Sequence, residues 1–135
     1  MFTKPNIQLQ SATDITVELL NKMNITCLIL DVDNTLCIKK GEIILDGVMN
    51  WLSDMHSAGI KLKIQSNAKP KRMGESTENC AIVGDQLLTD ILGGNLAGCK
   101  TILVCPVELE NSFGFKIKRG IERKLLKKYN LKCDF

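Results

Sequence analysis

Apolar positions along this chain fall into short runs, separated by polar stretches that carry a helical period. Residues 25–30 are nearly all apolar, on both faces of an extended chain, which predicts a central parallel strand. Residues 60–65 alternate strictly, with Ile60, Leu62 and Ile64 on one face and Lys61, Lys63 and Gln65 on the other. That pattern predicts a strand with one wet face, or an edge strand guarded by lysines. Residues 80–83 and 100–105 predict two further strands, the first running into Gly84-Asp85 and the second stopped by Pro106. Helical spacing appears between them. Residues 13–21 read as a short capped helix. Residues 46–57 read as a helix with Val48, Met49, Leu52 and Met55 inward and Gly59 as its stop. Residues 86–96 form another, closed by Ala97-Gly98. Residues 113–129 predict a final helix, whose stripe Phe113, Ile117, Ile121, Leu125 and Tyr129 faces the core while seven Lys/Arg cover the rest. The first twelve residues read as a polar surface arm, residues 37–45 as a loop or small flap around Gly41, and residues 66–79 as polar chain.

Strand and helix alternate throughout. The expected architecture is a three-layer, Rossmann-like α/β domain with a small parallel sheet of about four strands. The length of 135 residues suits a single domain spanning 1–135, with the arm at 1–12 and the basic helix at 113–129. No segment is long enough for a separate cap domain.

Composition narrows the classes without choosing among them. Hydrophobic residues make up 44% and charged residues 24%, and a net charge of +3 is too small to argue for specific nucleic-acid binding. The six cysteines (Cys27, Cys37, Cys80, Cys99, Cys105, Cys133) contain no C-x-x-C pair, and four lie in or beside apolar runs. They read as reduced thiols, and with no secretory signal or spanning segment the expected location is the cytoplasm.

Candidate chemistry gathers at the carboxyl ends of three predicted strands. Asp31 and Asp33 end the first, Ser66 and Asn67 the second, and Asp85, with Asp90 beyond it, the third. Open α/β sheets bind ligands at such ends. A carboxylate beside a core is costly unless it is paired or holds a metal. Mg²⁺ takes oxygen ligands, commonly one or two carboxylates plus substrate phosphate. The pattern therefore points to phosphate transfer at a Mg²⁺ site, with Asp31 and Asp85 as carboxylate ligands. Asp31 would attack phosphorus, and Asp33 would protonate the leaving alcohol and then activate water. Thr35, Ser66, Asn67 and Lys69 would hold the phosphoryl oxygens.

At these residues the chain resembles the haloacid-dehalogenase (HAD) phosphatases. Asp31-Val32-Asp33-Asn34-Thr35 is similar to their first motif, Ser66-Asn67 to the second, Ala68-Lys69-Pro70 to the lysine-bearing third, and Gly84-Asp85 through Asp90 to the metal-binding fourth. The flanking Asp14-Ile15-Thr16, Glu18-Leu19-Leu20, Val83-Gly84-Asp85-Gln86 and Leu92-Gly93-Gly94-Asn95 resemble the YqeG-type branch, subfamily IIIA, whose relatives include phosphatidylglycerophosphate phosphatases. The resemblance implies a Mg²⁺-dependent phosphomonoester hydrolase with metal ligands Asp31, Asp33, Asp85 and Asp90. The order of the motifs predicts a spatial strand order 4-3-1-2, and with no segment long enough for a cap the cleft is expected to be open, suited to a bulky phosphorylated partner such as a lipid head group or a protein.

The chain departs from that family in one passage. Only residues 68–80 separate Asn67 from Ala81, where the family carries a helix–strand–helix crossover. One strand and its covering helix are therefore expected to be missing, which leaves the lysine-guarded strand as an edge that a second copy of the chain could cover. Two rival functions stand beside the enzyme: a catalytically weak HAD-fold binding or assembly protein, and a phospho-accepting regulatory domain. His56 reads as solvated and Gly93-Gly94 as a close-packed helix break. The basic last helix reads as a solvated face, with peripheral contact to an anionic membrane as the alternative.

Overall fold

The computed structural model describes residues 2–39, 41–64, 77–107 and 113–133. Five parallel strands form the main sheet: β1 (Ile7–Leu9), β2 (Cys27–Leu30), β5 (Lys61–Ile64), β6 (Cys80–Gly84) and β7 (Lys100–Val104). Their spatial order is β1-β7-β6-β2-β5. The four strands read from the sequence therefore lie in the expected order 4-3-1-2. β5 is an edge among the described residues, as its lysine alternation predicts. The fifth strand is a correction. Residues 7–9 do not lie loose on the surface but pair with β7, Ile7 opposite Ile102 and Leu9 opposite Val104. Three residues carry too little periodicity to declare a strand, and the edge of β7 supplies what local sequence could not.

Alternation along the central strands splits the core into two faces. Leu28, Leu30, Ala81, Val83, Ile102 and Val104 point to one side. There they meet α1 (Val17–Lys22) and α2 (Val48–Ser57) through Leu20, Val48, Trp51 and Met55. Trp51, rather than the expected Met49, faces inward, and its Nε1–H donates to the Ile15 carbonyl at 2.9 Å. On the other side lie Cys27, Ile29, Cys80 and Ile82 with Cys99, and a second group of Leu87, Ile91, Leu103 and Leu126. That layer is built by α3 (Leu92–Ala97) and α4 (Phe113–Lys128). The first predicted helix divides into a 3₁₀ turn, Ala12–Asp14, capped by Ser11, and α1, capped by Thr16. The loop after β2 contains a short hairpin of β3 (Cys37–Ile38) and β4 (Ile43–Ile44). His56 is exposed, and Gly94 packs so closely that a Cβ there would meet Thr101 Cγ2 at 2.7 Å.

Two expectations about the C-terminal part are overturned. Ile117 and Ile121 are 53% and 46% exposed, whereas Arg119, Glu122 and Leu126 are buried. Periodicity favours the apolar stripe, but α4 is turned so that a paired Arg and Glu face the sheet. The cysteines are also not all thiols, because Cys105 and Cys133 form a disulfide across 28 residues of chain. α4 returns the chain to the end of β7, and their Cα atoms come within 5.3 Å. Such a long-range meeting leaves no trace in local spacing. Cys27, Cys37, Cys80 and Cys99 are outside any disulfide. Among the described residues no helix is long and apolar enough to cross a membrane.

Candidate active site

Parallel pairing of β2 with β6 builds the centre of the site. Leu30 lies opposite Val83, and the ladder continues one step further, the Asp31 N–H donating to the Val83 carbonyl at 2.9 Å. Asp31 thus leaves β2 beside Gly84 and Asp85, where the chain leaves β6. This is the point where the order of strands reverses, the usual position of ligands in open α/β sheets.

Beyond Asp31 the chain turns sharply. The Val32 carbonyl accepts from the N–H groups of Thr35, Leu36 and Cys37 at 3.3, 2.9 and 3.0 Å. Asn34 occupies the left-handed region at φ 63°, a conformation asparagine tolerates better than most residues. Asn34 and Thr35 are buried under this turn, and Asp33 is exposed at its rim.

After β6 the chain enters a π-helical turn, Leu87–Ile91, before α3. The extra residue of such a turn re-aims the side chains within it, and π-turns recur at functional sites. Here it directs Asp90 back over Gly84. A Cβ at position 84 would overlap the Asp90 carboxylate, so only glycine fits. The Gln86 N–H donates to Asp90 Oδ2 at 3.2 Å and holds the side chain in place.

Carboxylate oxygens of Asp31, Asp85 and Asp90 consequently lie within 4.8 Å of one another. Crowding of like charge in a buried place has the expected electrostatic result. Burial, with the Asp33 charge adding to it, raises the Asp31 carboxyl above the usual range. Burial pushes Asp85 up to about 7, against the opposing pull of Arg119. Asp90 is pushed up to about 8 by burial and by the charges of Asp31 and Asp85. Asp85 Oδ1 is buried with no hydrogen-bond partner among the described residues. Three converging carboxylates and one orphaned oxygen form a donor set suited to a hard divalent cation.

The sequence-predicted residues thus divide. Asp31, Asp85 and Asp90 come together, Asp33 stands outside their cluster, and Thr35 is buried nearby in the β2 turn with its Oγ1 unpartnered among the described residues. Ser66, Asn67 and Lys69 lie outside the described residues. Sequence reasoning missed Arg119. Its Nη2 lies 2.6 Å from Asp85 Oδ2 and its Nη1 donates to the Asp85 carbonyl at 3.1 Å. The available signal was an Arg and a Glu spaced i, i+3 in a helix otherwise rich in lysine.

Residues 62–105 match the family model described as HAD-hydrolase-like. Over 93% of its length the chain is 32% identical to "Probable phosphatase YqeG" of Bacillus subtilis (strain 168), covering 90% of that protein. The chain belongs to the HAD-like phosphatases, in their YqeG-type branch. The alignment to YqeG runs over 155 positions although it takes in only 93% of this chain's 135 residues, so it opens gaps in this chain. A solved structure described as "Crystal structure of Bs-TpNPPase" overlaps 78% of this chain and 50% of its own, at 21% identity and a TM-score of 0.25. This YqeG-type chain is thus a phosphatase hydrolase of the HAD kind, acting on phosphorylated substrates.

Proposed function

We propose that this protein hydrolyses phosphomonoesters with Mg²⁺ through an aspartyl phosphate on Asp31. The observation that carries the reading is the convergence of Asp31, Asp85 and Asp90 oxygens within 4.8 Å at the sheet's switch point. Asp31, Asp85 and Asp90 would hold the cation, with Asp33 exposed at the rim. When bound, Mg²⁺ supplies the positive charge that keeps these carboxylates ionised and screens them from the substrate phosphate.

Asp31 Oδ attacks phosphorus as the bond to the leaving oxygen breaks. Asp33, exposed at the rim, gives its proton to that oxygen. It then takes a proton from the water that attacks the aspartyl phosphate, and Asp31 is released as carboxylate. Thr35, in the turn that follows Asp31, has a buried Oγ1 with no partner among the described residues, and it would serve a phosphoryl oxygen. By the resemblance of their motifs, Ser66, Asn67 and Lys69, which lie outside the described residues, would complete the cradle.

The substrate class we favour is a bulky phosphate, with a phospholipid head group as the leading case. The exposed Lys116, Lys124, Lys127 and Lys128, with the exposed Ile117 and Ile121 on the same helix, suit peripheral contact with an anionic surface. A second reading is favoured by the short passage of residues 68–80 between Asn67 and Ala81: a chain that keeps the metal site and turns over slowly because its crossover is short.

Hydrolysis of p-nitrophenyl phosphate tests both. The enzyme reading expects turnover with Mg²⁺, its loss with EDTA, and its loss in Asp31→Asn. Mg²⁺ binding without turnover in the parent protein would favour the second reading.

A further inference from the structure

Two charged residues of α4 reach into the site from outside the cluster of carboxylates. Arg119 Nη2 pairs with Asp85 Oδ2 at 2.6 Å, while Nη1 donates both to the Asp85 carbonyl at 3.1 Å and to Glu122 Oε1 at 2.8 Å. Glu122 Oε2 in turn accepts from the Leu88 N–H at 3.3 Å, in the π-turn that carries Asp90. The side chains of Asp85, Arg119 and Glu122 are all buried.

We infer that Arg119 and Glu122 are positioning residues for the cation site: they clamp the segment from Asp85 to Leu88 and engage Asp85 Oδ2, so that Oδ1 is the oxygen left to ligate. The inference rests on the metal reading proposed above.

Stability alone does not account for the pair. A buried ion pair commonly contributes no more than well-packed apolar residues would. This helix owns such residues, yet Ile117 and Ile121 are left 53% and 46% exposed while Arg119 and Glu122 take the inward face. The orientation gives up apolar burial and gains three hydrogen bonds on one short segment of the site, with a fourth joining Arg119 to Glu122 within α4. Those bonds act on both sides of the cluster. The guanidinium fork orients Asp85, and the Glu122 link fixes the start of the turn that aims Asp90. Groups that orient metal ligands typically change affinity by about 10- to 100-fold when removed.

The test is Mn²⁺ binding, followed by electron paramagnetic resonance on the full chain, with folding checked by circular dichroism. Arg119→Lys keeps the charge but lacks the planar fork and cannot serve Asp85 Oδ2, the Asp85 carbonyl and Glu122 together. Its Mn²⁺ Kd is expected to rise by about 10-fold or more. Excess Mg²⁺ is expected to restore kcat, a rescue that a purely structural role would not give. Glu122→Gln preserves size but has one acceptor oxygen for two donors, and a several-fold rise in Kd is expected. A folded Arg119→Lys that binds Mn²⁺ as tightly as the parent, or more tightly, would overturn the inference. So would failure of both variants to fold, which would assign the pair to stability alone. A parent protein that binds no Mn²⁺ would instead remove the metal reading itself, so the two failures are distinct.

Discussion

The carboxylate of Asp90 folds back over the α-carbon of Gly84 and fills the space a Cβ would occupy. Two residues six positions apart are thereby locked together, one ending β6 and the other inside the π-turn that follows. Gly84→Ala must push Asp90 out of the cluster or shift the strand end. Phosphatase activity is expected to fall at least 100-fold, with a stability loss of about 1–3 kcal/mol from overpacking. Mn²⁺ titration beside a denaturant melt checks it, and near-parental Mn²⁺ binding would contradict the assigned role of Asp90.

The three carboxylates make the metal-free protein sensitive to pH in a defined direction. Asp85 and Asp90 have folded-state values near 7 and 8, both above the ordinary aspartate value of 3.8. A raised value favours the folded state at low pH, and that contribution is lost as pH rises through the folded value. The metal-free protein is therefore expected to melt at lower temperature at pH 8.5 than at pH 5.5. Mg²⁺ should reverse the trend, adding about 2.7 kcal/mol at a hundred times its Kd and acting most strongly at the alkaline end. Fluorescence of Trp51, the chain's one tryptophan, reports both melts.

Asp31→Asn separates catalysis from stability. It removes one of the crowded charges that raise Asp90 and Asp85. Turnover is expected to disappear, while the metal-free variant gains about 1 kcal/mol over the parent at pH 8. A calorimetric comparison without metal measures this gain, and a less stable variant would show that the cluster is not repulsive.

The disulfide makes a prediction of its own. Closing a loop of 28 residues is worth about 3–4 kcal/mol in the chain-entropy model. Dithiothreitol is expected to lower the parent's stability by about that amount and to leave Cys133→Ser unchanged. Equal sensitivity of both proteins would show that the bond does not form in solution.

Much of the site was legible along the chain because its parts are local. A buried strand ending in Asp31-Val32-Asp33, and another ending in Gly84-Asp85, are patterns of a few residues. The order of the motifs, together with the rule that parallel strands need crossovers, was enough to place those two ends side by side. The lysine alternation of Lys61 and Lys63 likewise announced an edge. Arg119 was not legible, since helical periodicity counts a charge as solvated unless something else neutralises it. That something is Asp85, 34 residues away.

By itself, then, the amino-acid sequence determined the class of fold, the residue types offered at the strand ends and, through the order of its motifs, the order of four of the five strands. The fold class and the strand ends follow from short-range patterns of apolar and polar side chains, and the strand order from the sequence of motifs along the chain. Only the tertiary structure decided that Ile7–Leu9 completes the sheet, that α4 turns its ion pair inward, that Asp90 rests on Gly84 and that Cys105 meets Cys133. Each of these depends on the energy of a contact between distant segments, and such an energy has no value until both partners have been brought together.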